Sequence, residues 1–298
     1  MNFISRFFGQ RLGDGEVMQT LVANPEIKSP LSLVVLFPER CPTDQVGLTK
    51  SLVDFHPSMN EARFELDSSH EDKSTLLGML GWANHVVRCV GFNHWMPPAI
   101  VERCVLSSSW DSTIKQAALL HKAHAILFYA GYNESPHEQY VALATAAAVL
   151  HDHGGLMVVN DAAHTACPTG LLCQSGVTKD KIEFLRQLPI PMLYCGFVKY
   201  GVEGAPSVWM RTFGASLLGI PDFIVHADGN HQGEHYFQLF SLVMGEMQLS
   251  KVHIAAGHTM QIGEGVYFKF RAPMASEPFD ATGSNLLVVE PIRADQIN

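Results

Sequence analysis

Apolar residues recur at the period of a helix face through Tyr140, Leu143, Ala144, Ala147 and Leu150. The predicted helix has a clear start. Ser135 can cap it, Pro136 suits a first turn because its missing N–H would have no partner there, and Glu138 completes a capping-box pattern. Ala142, Ala144, Ala146, Ala147 and Ala148 give high helix propensity and a thin profile, so the helix can lie close against a sheet. His151 and His153 fall in the last turn, where an imidazole suits the negative end, and Gly154-Gly155 stops the helix. Leu156 to Val159 is a continuous apolar run, predicting a strand buried on both faces. The strand ends at Asn160-Asp161-Ala162-Ala163-His164-Thr165. Polar strand ends of this kind host ligand sites in open sheets, and they also make ordinary turns.

The rest of the chain follows the same grammar. Leu31–Phe37 predicts a strand stopped by Pro38, and Cys41 to Asp44 opens a helix reaching about Phe55. Ala62–Leu66 alternates, predicting a half-exposed strand. A polar loop leads to a small apolar segment ending near Trp82, then a strand over His85–Phe92. Helices are expected after Pro97-Pro98 and over Asp111–Lys122, followed by a strand over Ala125–Tyr129. This order predicts an α+β fold: an N-terminal ferredoxin-like sheet with an extra helix and strand. The alternation at 62–66 argues against a doubly wound parallel sheet.

Cys167 to Pro191 is mixed, with a helix expected over Lys179–Gln187, and a domain boundary falls there. Beyond it, strands are expected over 192–198, 208–213, 223–225, 266–270 and 286–289. A helix over Glu234–Leu249 carries Phe237, Phe240, Val243 and Met244 on one face. The second domain is therefore a smaller mixed α+β sheet. The expected domains are an amphipathic arm over 1–30 (Phe3, Ile4, Phe7, Phe8 and Leu12), an N-terminal α+β domain over 31–175, and a C-terminal α+β domain over 190–298.

Composition narrows the function classes. With 298 residues, 47% hydrophobic and 16% charged, the chain can bury a sizeable core. A net charge of -9 without basic runs argues against nucleic acid as a partner. Six cysteines without a C-x-x-C pair read as buried thiols in a reducing compartment. No signal peptide and no integral membrane segment are evident, so a cytoplasmic location is expected.

Candidate chemistry is sparse. His231-Gln232-Gly233-Glu234-His235 has the H-x-x-E-H spacing of inverted zinc proteases. Gly233 lies inside the motif, however, at the first turn of a helix, so a solvated loop is the expectation. His231, Glu234 and His235 stand only as weak candidate metal ligands. His151-x-His153 places two rings roughly 200° apart on a helix, which is wrong for a shared metal, and His121-x-x-His124 straddles a helix–strand junction. There is no G-x-S-x-G elbow, Walker loop or G-x-G-x-x-G, and no cofactor is expected. Cys167 lies three residues after His164, the one thiol–imidazole pairing worth naming. Arg211, on an otherwise apolar strand, is a candidate for a buried ion pair with Asp222 or for an edge position in solvent. His258 follows Gly257 in a turn. The candidate binding residues are Asn160, Asp161, His164, Thr165, Arg211 and His258.

At Met210-Arg211-Thr212-Phe213-Gly214, Gly219-Ile220-Pro221-Asp222 and Gly257-His258-Thr259, the chain resembles a bacterial family known as domain of unknown function 4261. The resemblance covers roughly residues 205–290, departs from the pattern at His226–His235, and implies a soluble bacterial protein without supplying catalytic residues. Together these readings predict a non-catalytic protein-binding protein. Its concrete form is an immunity-type inhibitor or accessory factor of a bacterial toxin or secretion system, such as type VI secretion. The alternative is a hydrolase or metal-dependent enzyme using Asp161, His164 and Cys167 or the His231–His235 loop.

Overall fold

The computed structural model describes residues 20–67, 75–177, 179–201, 207–277, 279 and 285–297. The chain divides into two compact units, Met1–Asp161 with Ala166–Leu188, and Ala162–Thr165 with Pro189–Asn298. Residues 1–19 of the expected amphipathic arm lie outside the described residues, and 20–30 hold no helix.

The first unit is built on a seven-stranded sheet, with β1 (Ser32–Phe37), β2 (Arg63–Leu66), β3 (Thr75–Trp82), β4 (His85–Phe92), β5 (Ala123–Tyr129), β6 (Met157–Asn160) and β7 (Thr165–Pro168) ordered β2-β3-β4-β5-β1-β6-β7. β1 is antiparallel to both its neighbours, β5 and β6. A ferredoxin-like sheet sets its first strand parallel beside its third, so that detail of the expectation is not confirmed. What stands is the α+β class. The small apolar segment before Trp82 is a full strand, paired along its length with β4.

Because β1 is central, both its faces are buried. Val34 and Leu36 pack with Val101, Cys104 and Val105 of α2 (Pro98–Leu106) and Ala118 of α3 (Ser112–Leu119). Alternation leaves Leu33, Val35 and Phe37 for the other face, where α4 (Pro136–His151) packs on β1, β4 and β5. An outer layer covers α4 in turn: α1 (Gln45–Phe55), α5 (Thr169–Leu172) and α6 (Lys181–Arg186). Every residue from Tyr140 to Leu150 is therefore buried. The alanines allow this close double contact.

The cap of α4 is half the expected box. Ser135 Oγ accepts from Glu138 N at 3.4 Å, but the Glu138 carboxylate turns to Arg186 at 2.7 and 3.0 Å, tying the start of α4 to α6. At the other end His151 Nδ1 meets Thr169 Oγ1 at 3.0 Å, and Gly154 takes a φ of 91 that glycine tolerates. The exposed edge of β2 is blunted by side chains. Thr49 Oγ1 accepts from Phe64 N at 3.1 Å and Gln45 Oε1 from Leu66 N at 3.2 Å, satisfying groups that would otherwise recruit another strand.

The second unit holds a six-stranded sheet of β8 (Gly196–Gly201), β9 (Val208–Phe213), β10 (Asp222–Ala227), β11 (Thr259–Gly263), β12 (Val266–Arg271) and β13 (Leu286–Arg293), ordered β11-β12-β13-β10-β9-β8. β10 and β13 are parallel, and the other pairs are antiparallel. α8 (Gly233–Ser250) buries Tyr236, Phe240, Val243, Met244 and Met247. Phe240 meets Phe223 and Phe268 with ring centroids 5.7 and 6.3 Å apart, so this core is largely aromatic. The strand expected from Met192 begins later. Ile190–Leu193 is a helical turn (α7) with proline in its first positions, and β8 starts at Gly196. No other residue fits there, because a Cβ would stand 1.7 Å from Ala163 O.

Candidate functional site

The polar run after β6 is committed to structure. Asn160 is buried at the end of its strand, and its carbonyl lies 3.9 Å from Cys104 Sγ. Asp161 forms an ion pair with Arg103 of α2. Thr165 Oγ1 donates to Met192 O at 3.3 Å. His164 sits at a φ of 52 with its ring stacked on Phe213, centroids 4.6 Å apart. Cys167 is fully buried, its thiol donates to Pro168 O at 3.6 Å, and burial pushes its pKa up to about 12. A thiol so placed does not supply the thiolate that nucleophilic chemistry needs at neutral pH.

Two of the six candidate binding residues come together. Arg211 lies with its guanidinium carbon 4.2 Å from the centre of the Phe213 ring on which His164 stacks. Arg211 is 6% exposed, so it is a buried arginine and not an edge residue in solvent. It hydrogen-bonds Tyr200 and also acts on Asp222 through its charge. The Asp222 carboxylate accepts from Thr212 Oγ1 and Ala215 N, each at 3.1 Å; burial nonetheless raises its pKa. The cluster closes the turn between β9 and β10. His258 lies elsewhere, lining a groove with Met247, His253 and Ile254, and its Nδ1 accepts from Ala255 N at 3.3 Å.

The H-x-x-E-H segment spans a short 3-10 turn and the first turn of α8, with His231, Glu234 and His235 all exposed. Among the described residues no group of three or more His, Cys, Asp or Glu is placed to hold a metal ion. His121 and His124 are buried and satisfied: His121 accepts from Met96 N at 2.9 Å while Nδ1 donates to Ala118 O at 2.8 Å, and His124 Nδ1 donates to His94 O at 2.9 Å. Burial lowers both pKa values.

Sequence reasoning missed a cleft in the first unit. It has a volume of about 400 Å³ and lies at the β3–β4 hairpin, lined by Trp82, Ala83, Asn84, His85, Val86 and Tyr132 among others. Ala83 adopts a φ of 44, a strained conformation for a residue with a Cβ, to make the two-residue turn between Trp82 and His85. Beneath the turn runs a directed hydrogen-bond chain. Asn133 N donates to Tyr129 Oη at 3.0 Å, and Tyr129 Oη lies 3.2 Å from His85 Nδ1. Tyr129 Oη already accepts from Asn133 N; in the tautomer where it donates its own proton to Nδ1, the proton of the neutral ring stands on Nε2. Burial, the largest cause, lowers the His85 pKa to about 4, so the ring is neutral at physiological pH. Tyr129, pushed up to about 12 by burial, keeps its proton. No local pattern announced this chain, because its members lie 44 residues apart.

A second feature is an exposed apolar pair. The hydrogen bond from Met96 N to His121 Nε2 holds the loop before α2 against the end of α3. Trp95 and Leu120, each adjacent in sequence to one end of that bond, are 67% and 68% exposed.

No family model, no curated protein and no solved structure matches this chain. No helix among the described residues is long and apolar enough to cross a membrane.

Proposed function

We propose that this protein acts by binding another protein, without turnover, as an immunity-type inhibitor or accessory factor of a bacterial toxin or secretion system. The observation that carries this reading is the Trp95–Leu120 pair. Tryptophan is the residue most enriched at binding hot spots, and burying side chains of this size contributes about 2 kcal/mol each. Both stand largely in water on a scaffold fixed by the Met96–His121 bond, so a partner gains that burial without reordering the surface. The commitment of Asp161, Thr165 and Cys167 to internal bonds agrees with recognition better than with catalysis. Tagged full-length protein should recover one partner at equal amounts from a lysate of its source cells. The double variant Trp95→Ala, Leu120→Ala should lose that partner while keeping its melting temperature. Equal recovery by both would sink the reading.

A further inference from the structure

The hairpin cleft has the size and mixture of walls typical of small-molecule sites, which are mostly apolar with a few directed polar groups. Trp82, Tyr132 and Val86 supply apolar and aromatic surface, and Asn60 and Asn84 bring amides to the lining. A half-buried polar group held in place by a hydrogen bond is His85. Nδ1 is turned to Tyr129, which leaves the Nε2 edge for the cleft, and in the tautomer that accepts from the Tyr129 hydroxyl this edge carries an N–H. The occupant must therefore present a hydrogen-bond acceptor there.

Charge decides what kind of acceptor. Arg63, the one cation in the lining among the described residues, is paired with Glu65 at 2.8 Å, and Glu61 also lines the cleft. A carboxylate entering would meet no uncompensated positive charge and would lose its own hydration. A neutral carbonyl loses far less and takes the same N–H. The aromatic walls favour a flat ring beside it. We propose that this cleft binds a small, uncharged, ring-bearing compound whose carbonyl oxygen accepts from His85 Nε2–H and whose ring lies against Trp82 and Tyr132. This site is independent of the protein-binding surface at Trp95.

The test uses the full chain, labelled with 15N in its histidine and tryptophan side chains, titrated with indole-3-acetamide and separately with indole-3-acetate. The amide should shift the His85 and Trp82 resonances saturably at the millimolar affinity expected of so few atoms. The acetate should bind at least tenfold more weakly. His85→Phe, which keeps the ring and removes the donor, should weaken amide binding tenfold or more. If that variant does not fold, Tyr132→Ala, outside the hydrogen-bond chain, should show the same loss. The proposal is overturned by absent saturation, by shifts mapping away from the hairpin, by equal binding of the acetate, or by unchanged affinity in the folded variant.

Discussion

The helices α4 and α8 do the same work in the two units, each covering a sheet, yet their sequences are nearly opposite in kind. α4 is touched on one side by β1, β4 and β5 and on the other by α1, α5 and α6, so from Tyr140 to Leu150 it has no outward face. Its side chains are small because two layers must approach it. α8 buries only the stripe through Tyr236, Phe240, Val243, Met244 and Met247. Its outer surface leaves Leu242 and Leu249 at 59% and 84% exposed. The difference shows that a helix's amphipathicity reports how many layers cover it, and not how much it contributes to the core.

If that account holds, enlarging α4 should be the most damaging change. Ala147 is fully buried, and Ala147→Leu should destabilise the first unit by about 3 kcal/mol through overpacking, measured by urea denaturation. A loss below about 1 kcal/mol would mean that the outer helical layer gives way easily, and the contrast with α8 would collapse.

Acid should separate the units next. Unfolded His85 takes its proton near 6.5, the folded ring near 4. Between these values the unfolded chain holds more protons, so this contribution is complete above pH 6.5 and falls as pH drops towards 4. The loss is about 2 kcal/mol by pH 5. His121 and His124, lowered by burial, act in the same sense. Asp222 in the second unit is raised by burial and acts in the opposite one. Amide hydrogen exchange at pH 5 should therefore rise in β3, β4 and α4 before α8, and His85→Phe should flatten the first unit's acid limb. A smaller effect belongs to the tie at the start of α4. Arg186→Ala removes a two-pronged bond to Glu138 that is partly exposed, and should cost about 1 kcal/mol, lost further on adding salt.

How far these features could be read from the sequence differs in an instructive way. α4, β1, β9, β10 and α8 follow from local period and caps, and the structure places them within a few residues of expectation. β3 hid behind its glycines. Gly78 and Gly81 interrupt the apolar pattern: a Cβ at Gly78 would come within 2.8 Å of the Phe64 ring and 2.9 Å of Glu65 O, whereas one at Gly81 would meet the movable end of the Leu21 side chain at 2.3 Å. β11 was missed because it is a polar edge strand, with Thr259 and Gln261 exposed. The ferredoxin-like order is not confirmed for a different reason: an element list does not say which strand lies beside β1. Of the candidate site, the meeting of His164 and Arg211 at Phe213 and the cleft at His85 both depend on contacts between residues far apart in sequence, where periodicity carries no information.

The gentlest test returns to α8. Gly245 lies inside this helix with nothing within 4 Å of where its Cβ would stand, and its φ is not in the left-handed region. Glycine there retains backbone freedom in the unfolded chain that alanine would remove, and no neighbour obstructs a methyl group. Gly245→Ala should stabilise the second unit by about 0.5–1 kcal/mol, read from urea midpoints at constant slope. The same methyl-sized step is unavailable within α4, where both sides are packed. A destabilised Gly245→Ala would show that α8 is held against something on its outer side, and that its layer is as closed as that of α4.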